Sequence, residues 1–259
     1  MSRAAPSSES RPSTLERPPF SALASVYDAI MDDIEYDDWA EFLLEFLEQQ
    51  NFQPKSVLDL ACGTGNSTAP FLKRGFECWG VDASPEMLEV ARRKLPGVTF
   101  TRGTFTEFRL ERQFDLCTCL FDSLNNVLET ADLERTFANV YRHLNAGGWL
   151  IADVNTRLGV RELWDGEAIE GVAQISGGQE VHYHWSHVFD SALELGTVQA
   201  FCRLGDKEFL ELHTERGYDP ADLEPLLIRA GFSSIHFVEY PDFAAPNAET
   251  ARVWVFARK

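Results

Sequence analysis

Apolar positions change period several times along this chain, and each change marks a new element. Residues 1–20 hold almost no apolar side chains and are rich in Ser, Pro, Arg and Glu. Such a stretch cannot bury enough surface to fold, so it reads as a disordered tail. From Leu23 the apolar residues fall at helical spacing: Leu23, Val26, Tyr27, Ile30 and Met31, then Trp39, Phe42, Leu43 and Phe46. This predicts two helices within 21–50. Residues 56–154 then alternate short apolar runs with helical stretches. Strands are expected near 56–60, 77–81, 98–102, 114–119 and 148–154, and helices near 66–74, 85–94 and 132–144. Asn145-Ala146-Gly147-Gly148 would end the last of these helices with a left-handed glycine cap. Alternation of this kind means a parallel sheet with helices on both faces, a doubly wound α/β core.

Between 167 and 215 the pattern becomes that of antiparallel strands. Val181, Tyr183, Trp185, Leu193, Leu195, Val198 and Phe201 are the apolar positions, with Gly177-Gly178 and Asp190-Ser191 as turns. Glu211, His213 and Glu215 alternate with Leu210 and Leu212. Strand geometry puts those three polar groups on one face and, on this reading, the leucines on the core face. A helix over 220–231, closed by Gly231, and strands near 234–239 and 252–258 complete the chain. The expected organisation is a tail (1–20), a helical segment (21–50), an α/β core (51–156 and 219–259) and a β-rich insertion (157–218).

The most informative stretch is VLDLACGTGNST, residues 57–68, followed by GVDASPEM at 80–87. Val57-Leu58-Asp59-Leu60 is a buried-strand run, and Gly63 and Gly65 permit a tight turn with close backbone approach to a ligand. Asn66-Ser67-Thr68 would start a helix, and so would Ser84-Pro85-Glu86. Asp82 follows Asp59 by 23 positions, the reach of one strand–helix–strand unit, where a nucleotide-binding fold carries its ribose-binding acid. A dinucleotide site wants a third glycine for helix packing, and Thr68 stands in its place.

D-L-A-C-G-T-G followed by V-D-A-S resembles motifs I and II of class I S-adenosylmethionine-dependent methyltransferases, and the likeness runs from about 22 to 258. It implies a seven-stranded sheet of order 3-2-1-4-5-7-6 with the last strand antiparallel, a substrate cap inserted after strand 5, and S-adenosylmethionine as cofactor. VYDAIMDDIEYDDW is similar to the N-terminal lid of the small-molecule branch, which implies that Tyr27 and Trp39, with Tyr36 nearby, close over the cofactor. Ligands in such sheets collect beyond the carboxyl ends of the strands. The resemblance therefore implies cofactor contacts from Asp59, Ala61, Gly63, Gly65, Asp82, Ala83, Met87, Thr104, Phe105, Leu120, Phe121 and Asn125. Gly103-Thr104-Phe105 occupies the adenine-contacting position, with Thr104 where an acid is common. FDLCTCLFDSLNNV resembles motif IV of the small-molecule branch and lacks an N-P-P-Y signature, although Asp122, Ser123 and Asn125 read equally well as a helix cap and turn. ELHTERGY resembles the E-x-H-x-x-R-x-Y segment that closes the insertion in this branch.

Charge narrows the partner. Lys and Arg number 23 against 41 Asp and Glu, a formal net charge of −18, and the longest basic run is Arg92-Arg93-Lys94. Such a surface repels a phosphate backbone, so a small-molecule substrate is expected rather than a nucleic acid. Between Asp28 and Glu48 there are many acids and no Lys or Arg, which reads as a solvated acidic face. Five cysteines without a C-x-x-C spacing suggest neither zinc nor a redox pair and point to a reducing cytoplasm. No apolar run reaches the length of a membrane span. His182, His184 and His187 invite a metal, but on a strand 187 points away from the other two, so none is expected.

The chemistry implied asks for alignment of nucleophile, methyl carbon and sulfur, with water excluded. A general base is needed only if the nucleophile arrives protonated. His213 is the candidate, since an imidazole titrates near neutrality, and Tyr27 is the candidate for shaping the transfer channel. Two alternatives remain open on sequence: an NAD-dependent oxidoreductase, and a non-catalytic protein that binds an S-adenosyl ligand.

Overall fold

A computed structural model describes residues 15–163, 166, 168–175 and 177–259. The chain begins with β1 (Leu15–Arg17), a tight turn at Leu23–Ser25, α1 (Tyr27–Ile30) and α2 (Tyr36–Gln49). The core then alternates: β2 (Ser56–Leu60), α3 (Ala69–Lys73), β3 (Glu77–Asp82), α4 (Pro85–Lys94), β4 (Thr99–Arg102), β5 (Phe114–Cys119), α5 (Thr130–His143) and β6 (Leu144–Asn155). After α6 (Arg157–Leu163) come β7 (Ala168–Ile175), β8 (Gln179–Asp190), β9 (Leu195–Leu204) and β10 (Lys207–Arg216). α7 (Pro220–Ala230), β11 (Ile235–Val238) and β12 (Arg252–Arg258) return to the core.

Seven strands form the core sheet in the order β4-β3-β2-β5-β6-β12-β11. Pairings from β4 to β6 are parallel, and β12 runs antiparallel to β6. Counted along the core alone, this is the order 3-2-1-4-5-7-6. β2 is buried at all five positions, as a strand covered on both faces must be. One apolar layer centres on α5, α7 and one face of the sheet. The other packs Phe42, Leu43, Phe46 and Leu47 of α2 on Trp149, Trp254 and Phe256.

Local chemistry sets the helix ends. Ser84 Oγ accepts the Met87 N–H at 3.1 Å and Pro85 takes the first helical position, so α4 starts there. At α7, Asp219 and Asp222 form a reciprocal capping box, and Gly231 ends the helix at φ 107°. The expected glycine cap at 145–148 does not form. α5 stops at His143 because Leu144 is already extended and pairs with Phe114, and Gly147 lies inside β6 where the β5–β6 register shifts. Asn66-Ser67-Thr68 do not cap α3 either: the Ser67 and Thr68 hydroxyls donate to the Asp59 carboxylate at 2.7 and 2.6 Å.

The second sheet has the order β1-β10-β9-β8-β7. Strands β7 to β10 are antiparallel, while β1 runs parallel to β10. The tail expectation therefore fails for 15–17, where backbone pairing with β10 replaces the missing apolar contacts; residues 1–14 lie outside the described set. Leu23, Val26 and Ile30 pack on Val181, Cys202 and Phe209 of this sheet. One side chain holds the two ends of the insertion. Asn125 donates from Nδ2 to Asn155 O at 2.9 Å and Arg216 O at 2.7 Å, and its Oδ1 accepts the Asn155 N–H at 3.0 Å. Gly217 sits so close to the other end that a Cβ there would lie 2.6 Å from Arg157 Cα.

Candidate active site

Beyond the carboxyl ends of β2, β3 and β5 lies a cavity of about 950 Å³. Ala61, Gly63, Asp82, Leu120 and Phe121 line it from the core. Tyr183, Trp185, Ala200, His213 and Glu215 line it from the second sheet, and Pro19, Phe20, Tyr27 and Tyr36 from the N-terminal segment.

The core side is shaped by backbone. Ala61 turns at φ 59°, and Gly63 follows at φ 52° with open space where its Cβ would be. The Gly63 N–H donates to Asp82 Oδ2 at 2.9 Å and the Ser84 N–H to Oδ1 at 2.8 Å, so one carboxylate holds both strand-tip loops. Burial raises the Asp82 carboxyl above its usual range. Phe121 and Asp122 also carry positive φ, at 59° and 46°; their N–H groups donate to the Asp153 carboxylate at 2.7 and 2.9 Å. Burial pushes Asp153 up to about 6, against the pull of Arg252. Strained non-glycine residues at two neighbouring strand tips are a common mark of a ligand site.

The N-terminal segment is tied to both sides. Glu211, fully buried on β10, accepts N–H bonds from Phe20 at 2.6 Å, Ser21 at 3.1 Å and Leu23 at 2.9 Å. On the core side Ser84 Oγ donates to Phe20 O at 2.7 Å. Thr64 Oγ1 and Lys94 Nζ both bond Asp28, at 2.5 and 2.7 Å, which fastens α1 to the glycine turn. Asp37 likewise pairs with Lys73 and Arg74. Part of the acidic run is thus paired with basic side chains of the core while staying open to solvent. Burial, with Tyr36 and Asp122 nearby, raises the Tyr27 hydroxyl well above its usual value, so Tyr27 meets the cavity uncharged.

β10 faces the opposite way from the expectation. Phe209, Glu211, His213 and Glu215 point inward and are buried, while Leu210 and Leu212 lie on the outer, half-exposed face. Alternation was legible in the sequence, but it cannot say which face is covered. The sheet's inner face packs partly on Leu23, Val26 and Ile30 and partly lines the cavity, so its polar groups are enclosed rather than left to solvent. His213 is 7% exposed, and its ring meets Phe20 edge-on at 4.4 Å. His213 Nε2 lies 3.3 Å from Glu211 Oε2, but neither ring nitrogen has a formed hydrogen bond. Glu215 Oε2 is buried without a partner, and burial with the charge of Asp122 raises that carboxyl far above its usual range. On β8, His187 lines the cavity; His182 and His184 lie on the other face, beside Glu180 and Glu170.

Of the expected cofactor and catalytic residues, Tyr27, Ala61, Gly63, Asp82, Ala83, Met87, Phe105, Leu120, Phe121 and His213 line the cavity. Five do not. Trp39 packs behind Tyr36 and Phe121 against Trp254, with Arg252 over its ring. Asp59 is fully buried beneath the glycine turn, held by the hydroxyls of Ser67, Thr68 and Thr118. Gly65 turns at φ 83° with Leu95 2.9 Å from where a Cβ would sit, Thr104 is exposed in a loop, and Asn125 clamps the insertion. Tyr36 takes the wall position given to Trp39. Glu215, Trp185 and Phe20 were missed as site residues: a carboxylate on an alternating strand reads as surface, and a lone Phe after two prolines reads as tail.

These surfaces fit an S-adenosyl group: a glycine turn with open space before it, a carboxyl at the second strand tip for the ribose, and apolar Met87, Phe105 and Leu120 beside them. The sequence model of a methyltransferase domain matches residues 57–148. A Geobacillus sp. (strain WCH70) protein that carries a provisional methyltransferase name is 29% identical over 255 residues, spanning 93% of this chain and 99% of that one. The solved structure of an S-adenosylmethionine-dependent methyltransferase from Clostridium acetobutylicum ATCC 824 superposes with a TM-score of 0.75 at 28% identity, over 91% of this chain and 97% of that one. The sugar N-methyltransferase KedS8 of Streptoalloteichus sp. ATCC 53650 shares the fold at a TM-score of 0.77 and 23% identity, over 100% and 99% of the two chains. With the strand order, the glycine turn and the Asp82 clamp in place, this chain carries a methyltransferase domain and has the fold of the S-adenosylmethionine-dependent methyltransferases it resembles.

Proposed function

We propose that this enzyme methylates the amine nitrogen of a small molecule seated between the strand tips and the second sheet. The observation that carries the reading is the composition of that chamber. Among its described lining residues are five carboxyl side chains, Asp33, Asp82, Glu86, Asp122 and Glu215, and one guanidinium, Arg102. Such a wall favours a cation and suits neither an acidic metabolite nor a nucleic acid. The sugar N-methyltransferase among the structural neighbours supports a nitrogen acceptor.

Bound S-adenosylmethionine supplies a methyl group on a positively charged sulfur, already electrophilic. The protein's part is alignment, which can lower a barrier by about 7–11 kcal/mol. In this reading Gly63, Ala61 and Asp82 fix the cofactor's position, and Tyr27 narrows the channel toward the acceptor. The segment 18–36 acts as a lid that keeps water out. His213 removes the acceptor's proton, because its ring nitrogens lack partners in the chamber. An NAD-dependent oxidoreductase is set aside: Thr68, where a third glycine would stand, puts its hydroxyl on Asp59 instead. No helix among the described residues is long and apolar enough to cross a membrane, and the five free, buried cysteines support a cytoplasmic setting.

The test is turnover with methyl-labelled cofactor on amines and their matched alcohols. Label should appear on nitrogen. Label on hydroxyl or carbon alone would overturn the amine assignment, and none on any acceptor would overturn the enzyme reading.

A further inference from the structure

Five buried side-chain atoms among the described residues lack a hydrogen-bond partner, and four of them belong to side chains that line the cavity. They are Nδ1 and Nε2 of His213, Nε1 of Trp185 and Oε2 of Glu215; the fifth, Trp149 Nε1, lies in the core. Unpaired buried polar atoms are costly, so three such side chains on one inner face mark where a polar ligand completes the pairing. The indole can only donate, and His213 is the base assigned above. Glu215 remains without a role.

Its surroundings define one. Glu215 is 8% exposed. Asp122, after β5, and Asp153, on β6, both disfavour a charge on it. Arg252, on β12, attracts it, but that guanidinium is bonded to Asp122 and Asn155 and lies 3.3 Å from Asp153. Tyr27 and Tyr36 face the chamber as uncharged hydroxyls, and His213 and His187 line it from β10 and β8. With more carboxyls than cations around it, the Glu215 carboxyl keeps its proton until a further cation arrives.

We propose that Glu215 seats the acceptor's ammonium group and sheds its own proton to solvent as that cation binds. The inference rests on the amine reading. The step balances: a carboxylic acid and a dissolved ammonium become a carboxylate–ammonium pair, and one proton passes to the buffer. His213 then takes a second proton from the nitrogen, freeing the lone pair that attacks. The same wall disfavours a nucleotide-diphosphate-linked acceptor, whose negative charges would meet carboxyls and a single guanidinium.

Calorimetry on the complex with S-adenosylhomocysteine tests this. The probes are free amino sugars and alkylamines found to accept label, titrated in two buffers of different ionisation enthalpy. Wild-type protein should release about one proton per amine bound, and its affinity should rise with pH below the amine's own pKa. Glu215→Gln should abolish the release and raise KM for the amine by at least about tenfold, leaving S-adenosylhomocysteine affinity unchanged as a check on folding. Glu215→Asp, which keeps the carboxyl, should retain the release. Undiminished release from the Gln variant, or a native KM, would overturn the role of Glu215 while leaving amine methylation standing. Failure of every amine to accept label would instead remove the reading beneath it.

Discussion

Replacing Glu211 with glutamine should loosen the N-terminal segment from the second sheet. In the native chain Oε2 accepts the Phe20 N–H and Oε1 accepts those of Ser21 and Leu23. Glutamine keeps one acceptor oxygen and turns the other into a donor facing a donor. At least one backbone N–H then loses its partner beside a side chain that is fully buried. An unsatisfied buried group costs about 1–3 kcal/mol, and bonds to a charged acceptor are worth about 1.5–3 kcal/mol each, so the anchoring should weaken by about 2–4 kcal/mol. Even the lower figure raises local opening about 30-fold. The measurement is hydrogen exchange at the amides of Phe20, Ser21 and Leu23, which should lose protection by at least that factor. S-adenosylhomocysteine affinity should fall with it, because Phe20 and Ser21 line the cavity. The effect has a signed pH dependence. Burial alone would raise the Glu211 carboxyl, but His213 and the N–H groups of Leu23 and Phe20 outweigh it and hold the carboxyl below its usual range. A carboxyl depressed in the folded state stabilises above the ordinary carboxylate range and loses that contribution as pH falls through the lowered value. Wild-type protection should therefore persist at about pH 5 and vanish in stronger acid, while the variant stays flat. Unchanged exchange at the three amides would refute the latch.

The remaining predictions separate cofactor, chemistry and packing. Asp82→Ala should weaken S-adenosylmethionine binding at least about tenfold, since tenfold is only about 1.4 kcal/mol and the carboxylate also holds the Gly63 turn. An unchanged dissociation constant in the folded variant would sink the ribose assignment. His213→Ala should lower kcat about a hundredfold with little change in cofactor affinity; a near-native rate would leave catalysis to alignment alone. Trp39→Ala should cost about 2–3 kcal/mol in thermal or denaturant unfolding, through lost packing on Trp254 and Phe121, and leave cofactor affinity within about threefold. A large loss of affinity at native stability would return Trp39 to the cofactor site.

Strand and helix period carried most of the core because each element is covered in the way its period requires. Val57 on one face and Leu58 and Leu60 on the other are apolar, and the strand is buried on both. Ser84-Pro85 both starts α4 and is adjacent to Asp82, so the loop chemistry was readable from neighbours in sequence. What was not readable depends on contacts far apart in the chain. Nothing near Leu15 announces a strand, because its partner lies almost two hundred residues later on β10. Asp59 sits in the most recognisable motif, yet its carboxylate serves three hydroxyls beneath the floor rather than a ligand above it. Glu215 was misplaced for the opposite reason. A period of two fixes which side chains share a face, and only the assembled chamber shows that the face is enclosed.

The clamp at Asn125 makes the second sheet separable from the core in an engineering sense. The chain leaves the core after Asn155 and returns at Arg216, and both points hang from one amide side chain, with Gly217 packed against Arg157. Everything between those points can change length or sequence without altering the distance the core must span. A roof for a different acceptor could therefore be transplanted between relatives at 156 and 217. The graft should keep Asn125 and Gly217 as its seams and carry Glu211 together with the Phe20 segment that it grips.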